Sequence, residues 1–428
     1  MRRWARVGTG RFGLGEGADH ERTGRSHVAR RGRRASPMAG DSWWPSPQQE
    51  LLLRAALLQG PRAIEAFERW RHLVDVEELD PDSHRLLPQL YHNLRHQGIS
   101  DPAMARFKGV YRRTWYANQL LFQAIPTLLR SFADAGIRTV LLKGVPLVSQ
   151  YYRDLGLRPV DDFAILVPVS QASPTLGLLQ NLGFTPVWDT RDVTETLAGR
   201  HDWDLKDATG QQVEVHWRVF PERFAPDGVM EFWAGTVPVT IHGTSGRTLN
   251  AADQLLHVCA HGVAFTSRSA VRWVADAMAI LRGASRELDW DRLLAQARRR
   301  WFILLLQATL TYLRDIVDAP VPLSVLQRMT EMPVPRAERI AHTSRTRPPE
   351  LRSPWLALSV RYLEHCATLP ANAGTLGKLM RFSRFVLHRV NASSCRRILV
   401  AVALWGTRRI GSAAKTYGRR WTIRREIT

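Results

Sequence analysis

The sequence predicts an α/β (α+β) protein in which a small mixed sheet is flanked by N-terminal and C-terminal helical regions. Three observations carry that prediction. Between 140 and 167 a short apolar run, V-L-L, meets a glycine turn, a helical stretch and a second apolar run, F-A-I-L-V. Between 201 and 220 two runs with period-two alternation are joined by D-A-T-G, a hairpin-turn composition. On either side, at 48–125 and 251–366, apolar residues recur at helical spacing.

At 428 residues, with 45% hydrophobic and 23% charged residues, the chain has the composition of a folded protein with a large core. Its net charge of +21 suggests nucleic acid until it is located. Residues 1–40 hold ten arginines against three acids, residues 375–428 hold thirteen Lys or Arg against one acid, and the middle 334 residues keep only +2. The basicity therefore belongs to the ends. Of the sixty basic residues only five are lysines, which singles out Lys143 beside the glycine turn. The three cysteines, Cys259, Cys366 and Cys395, form no C-x-x-C pair, so neither a disulfide framework nor a thiolate zinc site is indicated. With no signal-like apolar stretch near the start and no apolar run long enough to span a bilayer, a cytoplasmic location is expected.

Taken in order, residues 1–40 have the composition of a disordered basic tail. A helical subdomain follows over 41–100, with helices at 48–59, 63–76 and 83–96. A long helix opens at Asp101, meets a kink or break at Pro126 and ends near Gly136. The core, 101–250, continues with a strand at 139–142, a helix at 145–152, a strand at 163–167 and a helix at 173–182 closed by Gly183. Strands are expected at 184–187, 201–205, 212–220 and 236–241, the last closing the sheet. A second helical domain covers 251–370, and a basic amphipathic segment covers 371–428.

Strand periodicity supplies geometry. Asp162, Ala164 and Leu166 share one face of their strand, and Glu214, His216 and Arg218 share one face of theirs. If the two strands are neighbours, Asp162 and Glu214 converge. Paired carboxylates on one sheet face suit a hard divalent ion such as Mg²⁺, which takes oxygen ligands and keeps water and phosphate oxygens in its shell.

Five separated motifs, in order, carry a resemblance: L-L-K-G at 141–144, Y-Y-R-D-L-G-L-R-P-V-D-D-F-A-I-L-V at 151–167, L-G-F at 182–184, H-D-W-D-L at 201–205 and V-E-V-H-W-R at 213–218. Together they resemble the uncharacterised nucleotidyltransferase family, a branch of the DNA polymerase β-like superfamily, over about residues 50–300. The resemblance implies a polymerase β-like core that moves a nucleotidyl group from a nucleoside triphosphate to an acceptor, using Mg²⁺. It places Gly144 in the phosphate-binding turn and makes Asp162 and Glu214 the first and third of the catalytic metal carboxylates; Lys143 and Arg158, read from their positions beside that turn and at the entry to the second strand, are expected to bind the nucleotide phosphates with Gly144. The acceptor, small molecule or protein, is left open. The chain departs from the pattern at Ala164, where the second carboxylate of D-x-D is expected, so a catalytically degenerate nucleotide- or partner-binding protein is the alternative.

Other readings stay open beside these. Lys143 also reads as a solvated strand-end residue, Arg158 as an anchor pairing with Asp154 or Asp161, Asp162 as a turn acid and Glu214 as an exposed strand residue. His201 or Asp204 is a stand-in for the missing ligand, or part of a polar edge strand with Asp202. The pair His257 and His261 lacks the glutamate of a zinc-protease helix, which favours a structural role, and Asp276 is a minor candidate near the acceptor. The basic tails suit nucleic acid or an anionic membrane, the third function class, against the plainer reading of solvated ends.

Overall fold

The computed structural model describes residues 44–187, 200–220, 228–265 and 271–346, with isolated positions 197, 360, 362, 363 and 374. The expected basic tail over 1–40 lies outside the described residues, as does the C-terminal segment 371–428 apart from position 374.

Four helices come first: α1 (Pro47–Leu57), α2 (Pro61–Leu73), α3 (Pro81–His96) and α4 (Met104–Asp134). The first three each carry proline at the start, where a missing N–H costs nothing. Ser46 and Gln49 close a capping box on α1, and Asp80 accepts from two backbone N–H groups at the start of α3. Helix α4 runs for 31 residues and is not broken at Pro126, where the sequence predicted a kink or break. Its last three turns bury Ile125, Pro126, Leu128, Leu129 and Phe132, and that burial outweighs the lost backbone hydrogen bond.

The sheet contains β1 (Val140–Leu142), β2 (Asp162–Leu166), β3 (Thr185–Pro186), β4 (Asp202–Lys206), β5 (Gln212–His216), β6 (Val237–Ile241) and β7 (Thr244–Thr248), in the order β3-β4-β5-β2-β1-β7-β6. Strand β2 runs antiparallel to β1 and parallel to β5, so it is central, and its last four residues are buried. Between β1 and β2 the chain makes a single α-turn, α5 (Gly144–Leu147), which widens into a π-turn over Val148–Tyr152; the sequence had suggested one regular helix. Helix α6 (Ala172–Asn181) precedes β3, and α7 (Gly228–Ala234) precedes β6.

One strand escaped the sequence reading. β6 does not close the sheet alone; it pairs with β7, which fits between β6 and β1. The tight turn joining them places His242 and Gly243 at φ 45° and 78°. His-Gly is not a common hairpin pair, and the polar T-S-G-R-T of β7 has no apolar alternation to announce a strand.

Helices α8 (Ala251–Ala260), α9 (Arg272–Gly283), α10 (Trp290–Arg299), α11 (Ile303–Val317), α12 (Leu323–Glu331) and α13 (Arg336–Thr346) complete the described chain. A π-turn, His261–Phe265, ends α8. The N-terminal helices do not stand apart from these. Trp44 packs on Tyr312 and Trp273, with ring centroids 4.7 and 6.1 Å away, and Arg282 donates to the Leu57 carbonyl at 2.7 Å. Both helical regions and the sheet share one hydrophobic core. Among the described residues no helix is long and apolar enough to cross a membrane.

Candidate active site

The parallel pairing of β2 with β5 sets Ala164 directly beside Glu214 and Asp162 beside Gln212. Strand β4 completes the row from the other side, with Asp204 beside Glu214 and Asp202 beside His216. Because directly paired residues point to the same face, Asp162, Glu214, Asp204 and Asp202 all rise from one side of the sheet. The opposite face is apolar, with Trp203 and Trp217 in edge contact at 5.0 Å. Strand β4 is not an edge strand: β3 covers its end, and Val187 N–H donates to the Asp204 carbonyl at 2.9 Å.

Glu214 is the centre of this face. Its Oε2 accepts from Lys143 Nζ at 2.5 Å, and its Oε1 lies 3.1 Å from His216 Nε2. Burial works against its charge, but His216 and Lys143 outweigh it and hold the carboxyl well below the usual range. Asp162 goes the other way. Burial first, and then the Glu214 charge and hydrogen bond, push its carboxyl up to about 6. The negative charges of the two carboxyls oppose each other, an arrangement that a cation would relieve. Asp202, Asp204 and Glu214 each offer a carboxylate oxygen within 4.8 Å of the others, a grouping the sequence reading left as an aside. His201, pushed down to about 4 by burial and then by the charges of His216 and Lys143, remains a neutral imidazole whose ring centroid lies 5.6 Å from that of His216, with the planes tilted by 55°.

Lys143 reaches Glu214 from an unusual backbone conformation. At φ 58° and ψ −127° it occupies a region normally left to glycine, worth about 1–3 kcal/mol of strain. Lys143→Gly is therefore expected to be about 1 kcal/mol more stable than Lys143→Ala. Both changes remove the ammonium, so the difference between their urea midpoints reads the backbone alone; equal midpoints would show that the turn is unstrained.

Gly144 is required by close packing. A Cβ there would sit 2.5 Å from Arg158 Nη1 and 2.8 Å from Val160 Cγ1. Arg158 is itself buried, and the sequence reading gave it phosphate contact or a partner in Asp154 or Asp161. Its partner is Asp276 on α9, with Nε and Nη2 donating at 2.7 and 2.9 Å while Nη1 donates to the Pro159 carbonyl at 3.2 Å. Asp276 also accepts from the Tyr152 hydroxyl at 2.8 Å. Asp154 is taken by Tyr111 and the Gly156 N–H, and Asp161 by Arg85 at 2.6 Å. The segment before β2 is held by Asn118 of α4, fully buried, which donates to the Leu155 and Arg158 carbonyls and accepts from Val160 N–H. Sequence reasoning passed over Asn118; the signal was a lone amide in a buried helical stripe.

A small mixed sheet bearing carboxylates on one face, beside a Lys-Gly turn that opens a short helix, is the arrangement of a nucleotidyltransferase-like protein. The family comparison agrees: the chain belongs to the uncharacterised nucleotidyltransferase family, whose profile matches residues 69–318. No curated protein matches it. Among solved structures, it is similar to an antigenic nucleotidyltransferase-like protein from Paracoccidioides brasiliensis at 16% identity and a TM-score of 0.33, over 48% of this chain and 92% of that one.

The donor set fits a hard divalent ion. Asp202, Asp204 and Glu214 converge as oxygen donors, and the Lys143 ammonium and the His216 ring stand beside Glu214 where positive charge is favoured.

Proposed function

We propose that the protein binds a nucleoside triphosphate with Mg²⁺ and transfers its nucleotidyl group to an acceptor hydroxyl or amine, releasing pyrophosphate. The observation that supports this best is the meeting of Asp162 and Glu214 beside the Lys143-Gly144 turn. Glu214, with Asp162 on the β2 side and Asp204 and Asp202 on the β4 side, would hold the ion, although Ala164 offers no ligand. Bound there, Mg²⁺ supplies charge neutralisation at the phosphates. The chain's own residues supply the positioning: Lys143 presents its ammonium to the phosphate side, and burial keeps the Glu214 carboxylate in a low-dielectric setting.

A second reading is favoured by Ala164, which is fully buried and adjacent to Glu214, and by the Lys143 ion pair that already satisfies Glu214. On that reading the protein binds nucleotide without turnover.

The test is the shift in melting temperature with ATP, GTP, CTP and UTP, each with and without Mg²⁺, on the wild type and on Asp162→Ala. A ligand at a hundredfold excess over its dissociation constant stabilises by about 2.7 kcal/mol. A Mg²⁺-dependent shift for at least one nucleotide, lost in Asp162→Ala, is expected. No shift with any nucleotide overturns both readings; a shift without pyrophosphate release in the presence of candidate acceptors selects the second.

A further inference from the structure

The end of α3 carries two histidines, His92 and His96, in an H-x-x-x-H spacing that sets both rings on one face of the helix. The sequence reading weighed the same spacing at 257 and 261 and passed over this one. The two pairs differ where it matters. His257 is buried in the core, and its ring centroid stands 5.4 Å from that of His261. His92 is half-buried and His96 exposed, their centroids are 4.4 Å apart, and their Nε2 atoms approach to 3.2 Å.

That approach is the geometry of a chelate. Two imidazole nitrogens on one tetrahedral zinc, each about 2.0–2.1 Å from the ion, stand about 3.3 Å apart. Without an ion, one Nε2 donates to the other; with both protons on Nδ1, both Nε2 lone pairs are free for a single ion. The surroundings favour a cation. His96 is the last residue of α3, where the carbonyls left without a helical partner carry partial negative charge. The charge of Asp154 also favours a positive neighbour at His92, with Arg95 acting against it. Because His96 is exposed, water has access to the remaining coordination positions.

We infer that His92 and His96 form a two-histidine site for a divalent transition ion of the zinc type, completed by water. Imidazole nitrogen suits such an ion, whereas the hard Mg²⁺ seeks the oxygens of the sheet face, so the two sites differ in residues and in chemistry. Bound here, the ion ties together the last turn of α3, just before the chain turns at Gly98 with φ 71°. The inference does not rest on the proposed function.

The experiment is calorimetric titration of the full chain, free of any polyhistidine tag, with Zn²⁺ on the wild type, His92→Gln, His96→Gln and the double variant. Other groups of the chain, the carboxylate face among them, can also take zinc, so the site is read as the ion that the wild type binds and the double variant does not. One such ion is expected. Each single replacement leaves one ligand and is expected to weaken it at least about tenfold, because the first imidazole presents the second at high effective concentration. Titration with Mg²⁺ should not distinguish the wild type from the double variant. Melting curves in EDTA establish that the variants are folded, and added Zn²⁺ should raise the wild type above the double variant. His96→Gln, at an exposed position, keeps the test decisive should His92→Gln fail to fold. Equal zinc binding by the wild type and the double variant, a loss that follows only one of the two histidines, or the same difference with Mg²⁺ overturns the site.

Discussion

Asp276→Ala is expected to lower stability by about 3–5 kcal/mol, the largest loss of any single substitution considered for this chain. Arg158 and Asp276 are 7% and 4% exposed, so removing the carboxylate strands a largely buried guanidinium without its counter-ion. Tyr152 loses its acceptor in the same step. The pair ties the segment before β2 to α9, across 118 residues of sequence, and so fixes where Asp162 begins its strand. The double variant Arg158→Met with Asp276→Leu should regain most of the loss, because a buried ion pair is worth little against apolar groups of similar volume. Urea midpoints of the three variants measure this. A loss below about 1 kcal/mol in Asp276→Ala would mean that the pair does not carry the stability its burial implies.

Ala164→Asp should make stability depend on Mg²⁺. The new carboxyl would stand beside Glu214 and on the same face as Asp162, whose proton is already held up to about 6 by burial and the Glu214 charge. In EDTA the added group must be buried either charged beside like charge or protonated beside few acceptors, at a cost of about 2–3 kcal/mol. Saturating Mg²⁺ should recover most of that cost and bind more tightly than to the wild type. Melting curves with and without the ion decide it, and a variant indifferent to Mg²⁺ would show that this sheet face is not a metal site. The same protein separates the two functional readings, since an active wild type should change modestly in turnover and an inactive one should gain it.

The fold was legible wherever one face of an element is apolar. The alternation in 212–216 and 202–206 marked β5 and β4, and because period two fixes which residues share a face, Asp162 and Glu214 could be brought together from sequence alone. Strand β7 was not legible, because its partners supply what its own residues lack: Thr248 is held by donating to the Leu141 carbonyl at 2.9 Å, and all five of its residues are polar or glycine. The partner of Arg158 was invisible for a different reason. Sequence reasoning searched nearby acids, while the chain brought Asp276 from a helix that no local pattern connects to β2. Asp204 was weighed as a substitute ligand or as part of a polar edge strand; the register that puts it opposite Glu214 is a property of the hairpin, whose turn is set by Asp207 accepting from the Thr209 and Gln211 N–H groups.

Gly144 has a consequence for how such chains are recognised. Its missing side chain makes room for the Arg158 guanidinium and for Val160, 2.5 and 2.8 Å from where a methyl would lie. The demand for glycine therefore comes from the interior of the fold as much as from any ligand. A descendant that had lost its chemistry altogether would still be obliged to keep the glycine at the end of its first strand, just as it would keep a core leucine. That glycine certifies the architecture, and the carboxylates on the sheet face are the better guide to whether a given relative still works.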